Sequence, residues 1–481
     1  MVINRWIGIP LIMLLISVLG ILSVINLKLG ILLVGFLFFL IFTFLFTNEL
    51  NIKAIVPPFL ILILFQDTII RNINLVSPSI GSAFSYVDEL FILLTLPPII
   101  INFFRGKIIN GVSVLIALIL ILILGLLSSF IHNVPTMITL QGALLMIKGL
   151  LYLFIFANLS YKDTELKRLI KWVKYGAIAV LICSLADLLF PYQFRAIFNI
   201  DHYFDHRVGG LISLISLFIH PGIYGWFMVF IGIYLASKFK VTSNAKYLFL
   251  CCLFFGFAFL SFRFKSILAM LVIFLVFYLL MGLRKSMILL FPLSLVLVIA
   301  YIAAGGVVVE LLDLTISRYL DVDMYDSARK ALYMVSFMIA QSEFPFGVGF
   351  GRFGGYIAQQ HYSPVYYEYG LNTVFGLRPE NPLFATDTYW TNILGELGVF
   401  GLIILLGLFI YLVIKMLFNY KVLENKTHKL IVLFSGMALI QALVESSGEP
   451  VFNSSPQNVF IFVSLGIGLS IIADSKKQKK E

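Results

Sequence analysis

Long apolar runs, each about as long as a bilayer is thick, dominate this chain and decide what it can become. A helix needs roughly 20 apolar residues to cross the hydrocarbon core, and only helices and closed barrels satisfy their own backbone there. Such runs lie near residues 6–26, 29–47, 54–70, 88–104, 111–131, 141–159, 170–190, 211–236, 246–261, 265–282, 286–304, 389–416, 429–446 and 457–473. They predict an all-α integral membrane protein with about 14 transmembrane helices (12–14), in which residues 1–481 form a single polytopic membrane domain. Gln66 and Asp67 interrupt one run, Pro97 and Pro98 another, and 246–261 is short. The first run reads as a crossing rather than a cleaved leader, because it lacks a small-residue cleavage site and a second apolar run follows at once. With 61% hydrophobic and 12% charged residues, a soluble multidomain reading is excluded.

Cys183, Cys251 and Cys252 all fall inside apolar runs, which argues against a disulfide framework and a thiolate metal site. The net charge of +10 would suit nucleic acid, but no basic stripe sits on a soluble domain, so no nucleic-acid partner is expected and the charge is read as topology. With both termini in the cytoplasm, 22 of the 34 lysines and arginines fall inside and 11 outside, and Lys148 lies within a crossing. Eighteen of the 22 lysines are inside, whereas eight of the 12 arginines are outside. The planar guanidinium fork suits bidentate contact with phosphate, so the outer arginines point to an anionic ligand, with pairing to loop carboxylates as the open alternative.

One large extracytoplasmic loop is expected, residues 305–388, between the eleventh and twelfth helices. It holds nine acidic and five basic residues and eight tyrosines, among them Tyr366, Tyr367 and Tyr369. Carboxylates and flat amphipathic rings suit a hydroxyl-rich ligand, and a tyrosine belt at the headgroups is the alternative. The Pro345-Phe346-Gly347-Val348-Gly349-Phe350-Gly351 stretch lacks the Walker lysine and βαβ context of a nucleotide loop; its glycines are expected to let the backbone turn tightly beneath a ligand. His202 and His206, four apart and flanked by Asp201 and Asp205, have metal-like spacing but no third ligand nearby, and read better as a polar turn. His220 before Pro221, Lys148 and Asp187 are costly polar groups in apolar runs. The last two could pair across neighbouring helices or take part in a site.

Three segments then carry a resemblance. Arg207-Val208-Gly209-Gly210 is followed by His220-Pro221-Gly222; Ser261-Phe262-Arg263 forms a tight outer turn; and Arg329 leads through an amphipathic stretch to Pro345-Phe346-Gly347-Val348-Gly349, then to Asp387-Thr388-Tyr389-Trp390 and Glu396-Leu397-Gly398-Val399-Phe400-Gly401. In their order, and in the one large loop before the last three helices, these resemble the bacterial O-antigen ligase and polymerase superfamily. The likeness is concentrated in 207–265 and 329–401. It implies a GT-C-like glycosyltransferase bundle in the plasma (inner) membrane, metal-independent and without a cofactor. The implied substrate is an undecaprenyl-pyrophosphate-linked oligosaccharide, and the implied partners are the lipid bilayer, a chain-length regulator and a flippase.

The resemblance further implies that Arg207, Arg263 and Arg329 bind pyrophosphate, that His220, Tyr366 and Tyr367 touch other parts of the substrate, and that Asp387 or His361 accepts the proton of the attacking hydroxyl. The ligase branch carries a His where this chain has Asp387, which turns the reading toward a polysaccharide polymerase. A glycan ligase using the same donor remains open, as does a flippase or other transporter, although no inverted repeat is visible. The topology is testable in intact cells. A Gln360→Cys protein should react with an impermeant thiol reagent, and failure to react overturns the whole orientation.

Overall fold

The computed structural model describes residues 49–104, 110–201, 204–208, 211–281 and 327–478, without the side chains of Glu49–Asn51, of His206–Val208, of Leu211 and of Met281. The expected crossings at 6–26, 29–47 and 286–304, the first part of the large loop and both termini lie outside these residues. Every other expected crossing falls on a helix: α1 (Glu49–Leu64), α2 (Gln66–Val76), α3 (Pro78–Phe84), α4 (Val87–Phe104), α5 (Val112–Ile131), α6 (Thr136–Ala157), α7 (Asp163–Leu189), α8 (Pro191–Ile197), α9 (Pro221–Thr242), α10 (Ala245–Phe259), α11 (Phe264–Met281), α12 (Ala328–Ser342), α13 (Tyr356–Gln360), α14 (Val365–Glu368), α15 (Tyr389–Val422), α16 (Lys426–Glu445) and α17 (Gln457–Gln478). Among the described residues, eight helices are long and apolar enough to cross a membrane, or nine if the bent pair α1 and α2 is one span. The protein is thus a helical, multi-pass membrane protein.

Two expected boundaries move. The run at 54–70 breaks at Phe65, where α1 and α2 meet at 70°. The run at 211–236 hides two elements, because a short apolar stretch does not by its periodicity tell strand from helix. Leu211–Ile212 is a strand, β2, paired antiparallel with β1 (His206–Val208), and the helix starts only at Pro221. There Pro221 takes the first helical position, where its missing N–H costs nothing, and His220 Nδ1 accepts from Gly222 N at 3.0 Å as the cap.

The chain divides into two units, Met1–Val56 with Glu89–Ile108, and Pro57–Asp88 with Ile109–Glu481. In the first, the described residues are helical, and Thr95 Oγ1 donates back to Phe91 O at 2.7 Å. The second unit holds the core. There α9 packs on α10, α11 and α16, α17 packs on α6 and α16, and α15 packs on α5, α12 and α16. Trp226, Phe227, Phe230 and Phe460 interlock through tilted and edge-to-face ring contacts at the α9–α17 crossing.

The large loop is folded over its described part, 327–388. In α12, Ala328, Ala331, Leu332, Val335 and Ile339 form a helical stripe against Phe353, Tyr366, Leu371 and Leu377, which is the amphipathic stretch expected after Arg329. The glycine-rich segment is clasped by helices. Ser128 Oγ of α5 donates to Gly347 O, and Phe350 N donates to Ser129 Oγ at 2.9 Å. Val348 N and Gly349 N donate to Gly395 O and Glu396 O of α15 at 2.8 and 3.1 Å. The fully buried Glu396 carboxylate accepts from Phe353 N at 3.1 Å. Close approach requires the glycines: a Cβ on Gly142 would press on the Gly351 backbone, and one on Gly347 on the Gly395 carbonyl. Gly398, with φ 70 and ψ −165 inside α15, adopts a backbone that only glycine reaches without strain, and a Cβ there would overlap Phe346 O. Gly398→Ala should therefore lower stability by about 1–3 kcal/mol from the backbone alone, with more from the overlap. Thermal unfolding in detergent checks this, and an unchanged midpoint would contradict the clasp.

Candidate functional site

Helices α9, α11, α15 and α17 all begin at one end of the bundle, and α16 ends there, so the loops joining them bring charges from distant parts of the sequence together. Arg263, in the α10–α11 turn, pairs with Asp205 at 2.9 Å. Two residues on, Lys265 pairs with Oε2 of Glu449 in the α16–α17 connection, and the same oxygen accepts from Gln457 Nε2 at 3.0 Å. Arg329, at the start of α12, donates to Asp387 at 3.0 Å and to Gly448 O at 3.4 Å. A Cβ on Gly222 would lie 2.8 Å from His220 Nδ1, 3.0 Å from Lys265 Nζ and 3.1 Å from Glu449 Oε1, so these three converge over the first turn of α9, where only glycine leaves room. The result is a line of two ion pairs, Arg329–Asp387 and Lys265–Glu449, joined where Arg329 reaches Gly448 O, with His220 and the Arg263–Asp205 pair beside it.

The electrostatics follow from this crowding. Burial, then the charges of Arg263 and Lys265, push the His220 imidazole down to about 4, against the pull of Glu449 and Asp205. The ring is therefore neutral at neutral pH. Its Nδ1 accepts from Gly222, so the proton sits on Nε2 and the residue acts as a donor. Burial raises the Asp387 carboxyl, Arg329 and Lys265 offset this only in part, and Glu449 adds to the rise. Lys265 holds Glu449 below the usual carboxylate range despite its burial.

Two cavities open beside this line. The larger, about 410 Å³, is lined by Asp67, Asp88, Lys148, His220, Glu449 and Gln457 among others, so it runs from the charged end toward the middle of α6. The smaller, about 250 Å³, is walled by the glycine-rich segment, the start of α15 and Pro450–Ser454.

The structure sorts the residues expected from sequence. It brings His220, Arg263, Arg329 and Asp387 to one place. Arg207 lies in β1, but its side chain is outside the described residues, as are His202 and the side chain of His206. His361 lies elsewhere, exposed at the end of α13 with Nε2 3.3 Å from Gln141 Oε1. Tyr366 is fully buried in the loop core, its hydroxyl accepting from Gly354 N at 3.1 Å, which leaves no ring face for a ligand. Tyr367 is exposed and stands edge-on to Tyr362. Asp387 does not cap α15: Thr388 holds the cap position and the Asp387 carboxylate turns to Arg329.

Lys148 and Asp187 do not pair with each other. Lys148 meets Asp88 at 2.7 Å. Asp187 receives Arg195 at 2.7 and 3.2 Å together with the backbone amides of Ile215 and Ser216. Arg195, counted among the outer arginines, is thus a structural partner. Sequence reading missed Lys265 and Glu449. Their signal was present, in a Lys two residues after Arg263 and in the Glu-Ser-Ser-Gly-Glu-Pro turn at the same end of the bundle, but no local spacing links positions so far apart.

Comparison with models of known protein families gives no match, and comparison with curated proteins gives none either. The buried pair on the wall of the larger cavity offers a direct check. Lys148→Met leaves Asp88 as an uncompensated buried charge and should cost about 3–5 kcal/mol of stability, whereas Lys148→Met combined with Asp88→Asn should recover most of it. Equal losses in the two proteins would contradict the pairing.

Proposed function

We propose that this chain is an integral-membrane polysaccharide polymerase of the O-antigen ligase and polymerase type. In this reading it transfers an undecaprenyl-pyrophosphate-linked glycan onto a hydroxyl of a second lipid-linked repeat unit at the outer face of the plasma membrane. The observation that carries the reading is the group of three partly exposed cation–carboxylate pairs with His220, set at one end of the bundle. Ionised groups are expensive near a bilayer and are kept where they do work. Three cations and four helix N-termini directed at one region suit a doubly phosphorylated headgroup.

The geometry supports these roles, with Arg207 carried by the resemblance alone. Arg263, Lys265 and Arg329, with Arg207, take the pyrophosphate, and the neutral His220 donates from Nε2 to one of its oxygens. The acceptor hydroxyl oxygen bonds to the anomeric carbon as the bond from that carbon to the phosphate oxygen breaks. The electron pair leaves with the lipid pyrophosphate, where the cations stabilise the growing charge. The hydroxyl proton passes to Asp387, and no nucleotide or metal is required by these steps. Because Arg329 binds Asp387 before substrate arrives, its transfer to pyrophosphate would leave the carboxylate with a weakened partner and raise its basicity when a base is needed.

Two measurements test this. Purified full-length protein in detergent, given only a lipid-linked repeat unit, should elongate it without nucleotide; transfer only to a different acceptor indicates a ligase, and movement of the lipid across vesicles without bond formation a transporter. Asp387 must be ionised to act, so the rate should fall as pH drops through a value above the ordinary ~3.9. Arg329 lowers that value, so in Arg329→Met the fall should begin at higher pH. A shift to lower pH, or full activity in Asp387→Ala, would remove Asp387 from the mechanism.

A further inference from the structure

The smaller cavity differs from the larger one in chemistry, although the two share a wall. Both are lined by Pro450 and Ser454. On one side of that wall stand Glu449, His220 and Lys148. On the other, among the described residues, no lysine or arginine contributes to the lining, and the one acidic side chain, Glu396, already accepts from Phe353 N, with the Gly351 and Arg352 amides also directed at it. The remaining polar groups are neutral. Asn453 donates from Nδ2 to Asn392 Oδ1 at 3.4 Å, while its own Oδ1 is buried without a hydrogen-bond partner. Thr386, Ser454 and Tyr389 line the same space. Leu145, Met146 and Ile357 supply an apolar side.

A space with one apolar wall and an edge of hydroxyls and amides matches a sugar ring, which has an apolar face and a rim of hydroxyls that donate and accept. At about 250 Å³, the cavity falls just below the usual range of ligand pockets, ~300–1,000 Å³, which suits a single ring and not a lipid headgroup. Thr386 and Thr388 both line it, and they flank Asp387 in the chain, so a ring held there stands next to the proposed proton acceptor.

We infer that this cavity is the subsite for one uncharged sugar of the acceptor glycan, placed across the Pro450–Ser454 wall from the charged groups. The inference rests on the glycosyl-transfer reading for its role, but the binding itself does not require turnover. A hexuronate fits less well by the same chemistry, because among the described lining residues its carboxylate would meet no lysine or arginine.

The test uses the full chain in detergent and free, lipid-less oligosaccharides, half of them neutral and half bearing hexuronate, followed by saturation-transfer NMR. Neutral glycans should give transfer and hexuronate ones should not. Asn453→Ala should weaken the signal at least tenfold, and Ser454→Trp, which fills the space, should abolish it, in proteins whose thermal unfolding is unchanged. Hexuronate binding equal to neutral binding, or neutral binding that survives both substitutions, overturns the subsite. If elongation of lipid-linked substrate proceeds while no free glycan binds, the subsite fails and the transfer reading stands. Neutral binding without elongation keeps the subsite and removes the transfer reading.

Discussion

A charged or polar group withdrawn from water must be met by an opposite charge or by hydrogen-bond partners, and this constraint organises the described part of the protein. Asp88 is met by Lys148, Asp187 by Arg195 and two backbone amides, and Glu396 by the amides of the glycine-rich segment. Each of these ties segments that packing of apolar faces alone would leave free to slide. Glu396 matters most for the architecture, because it draws the loop after α12 down into the bundle. The cavity walls are then made of backbone and of buried side chains rather than of a mobile loop.

The same constraint separates structural charges from candidate functional ones. Arg195 is wholly buried and bidentate to Asp187, so any departure would strand a carboxylate in an apolar interior. Arg263, Lys265 and Arg329 are partly exposed at their carboxylate partners. Their pairs are cheap enough to exchange for a stronger anion, and two phosphates offer more charge than single carboxylates. Pairing in the described structure is therefore compatible with ligand exchange at this end of the bundle and incompatible with it at Asp187.

Much of the helix layout was legible in sequence because runs of some 20 apolar residues have few other fates. The breaks were less so. The turn at Phe65 and the β1–β2 hairpin lie within apolar stretches, and composition alone does not reveal that Leu211 and Ile212 pair with a strand. His220-Pro221, read as a polar interruption inside the 211–236 run, is where α9 starts. Of the site, Arg263, Arg329 and Asp387 could be named through the resemblance, and His220 also because it interrupts an apolar run. Lys265 and Glu449 could not be joined, since their pairing is set by how α11 and α16 pack. Tyr366 misleads in the other direction: a tyrosine in a polar loop looks available for stacking, yet here it fills the loop's own core.

On the proposed reading the line of paired charges receives a pyrophosphate headgroup, and lipid binding tests this without any turnover. Native mass spectrometry of the detergent-purified protein should show undecaprenyl pyrophosphate retained in preference to undecaprenol. That preference should collapse in Arg263→Lys, where the charge survives but the bidentate fork is lost. Equal retention of the two lipids by the unaltered protein would contradict the account.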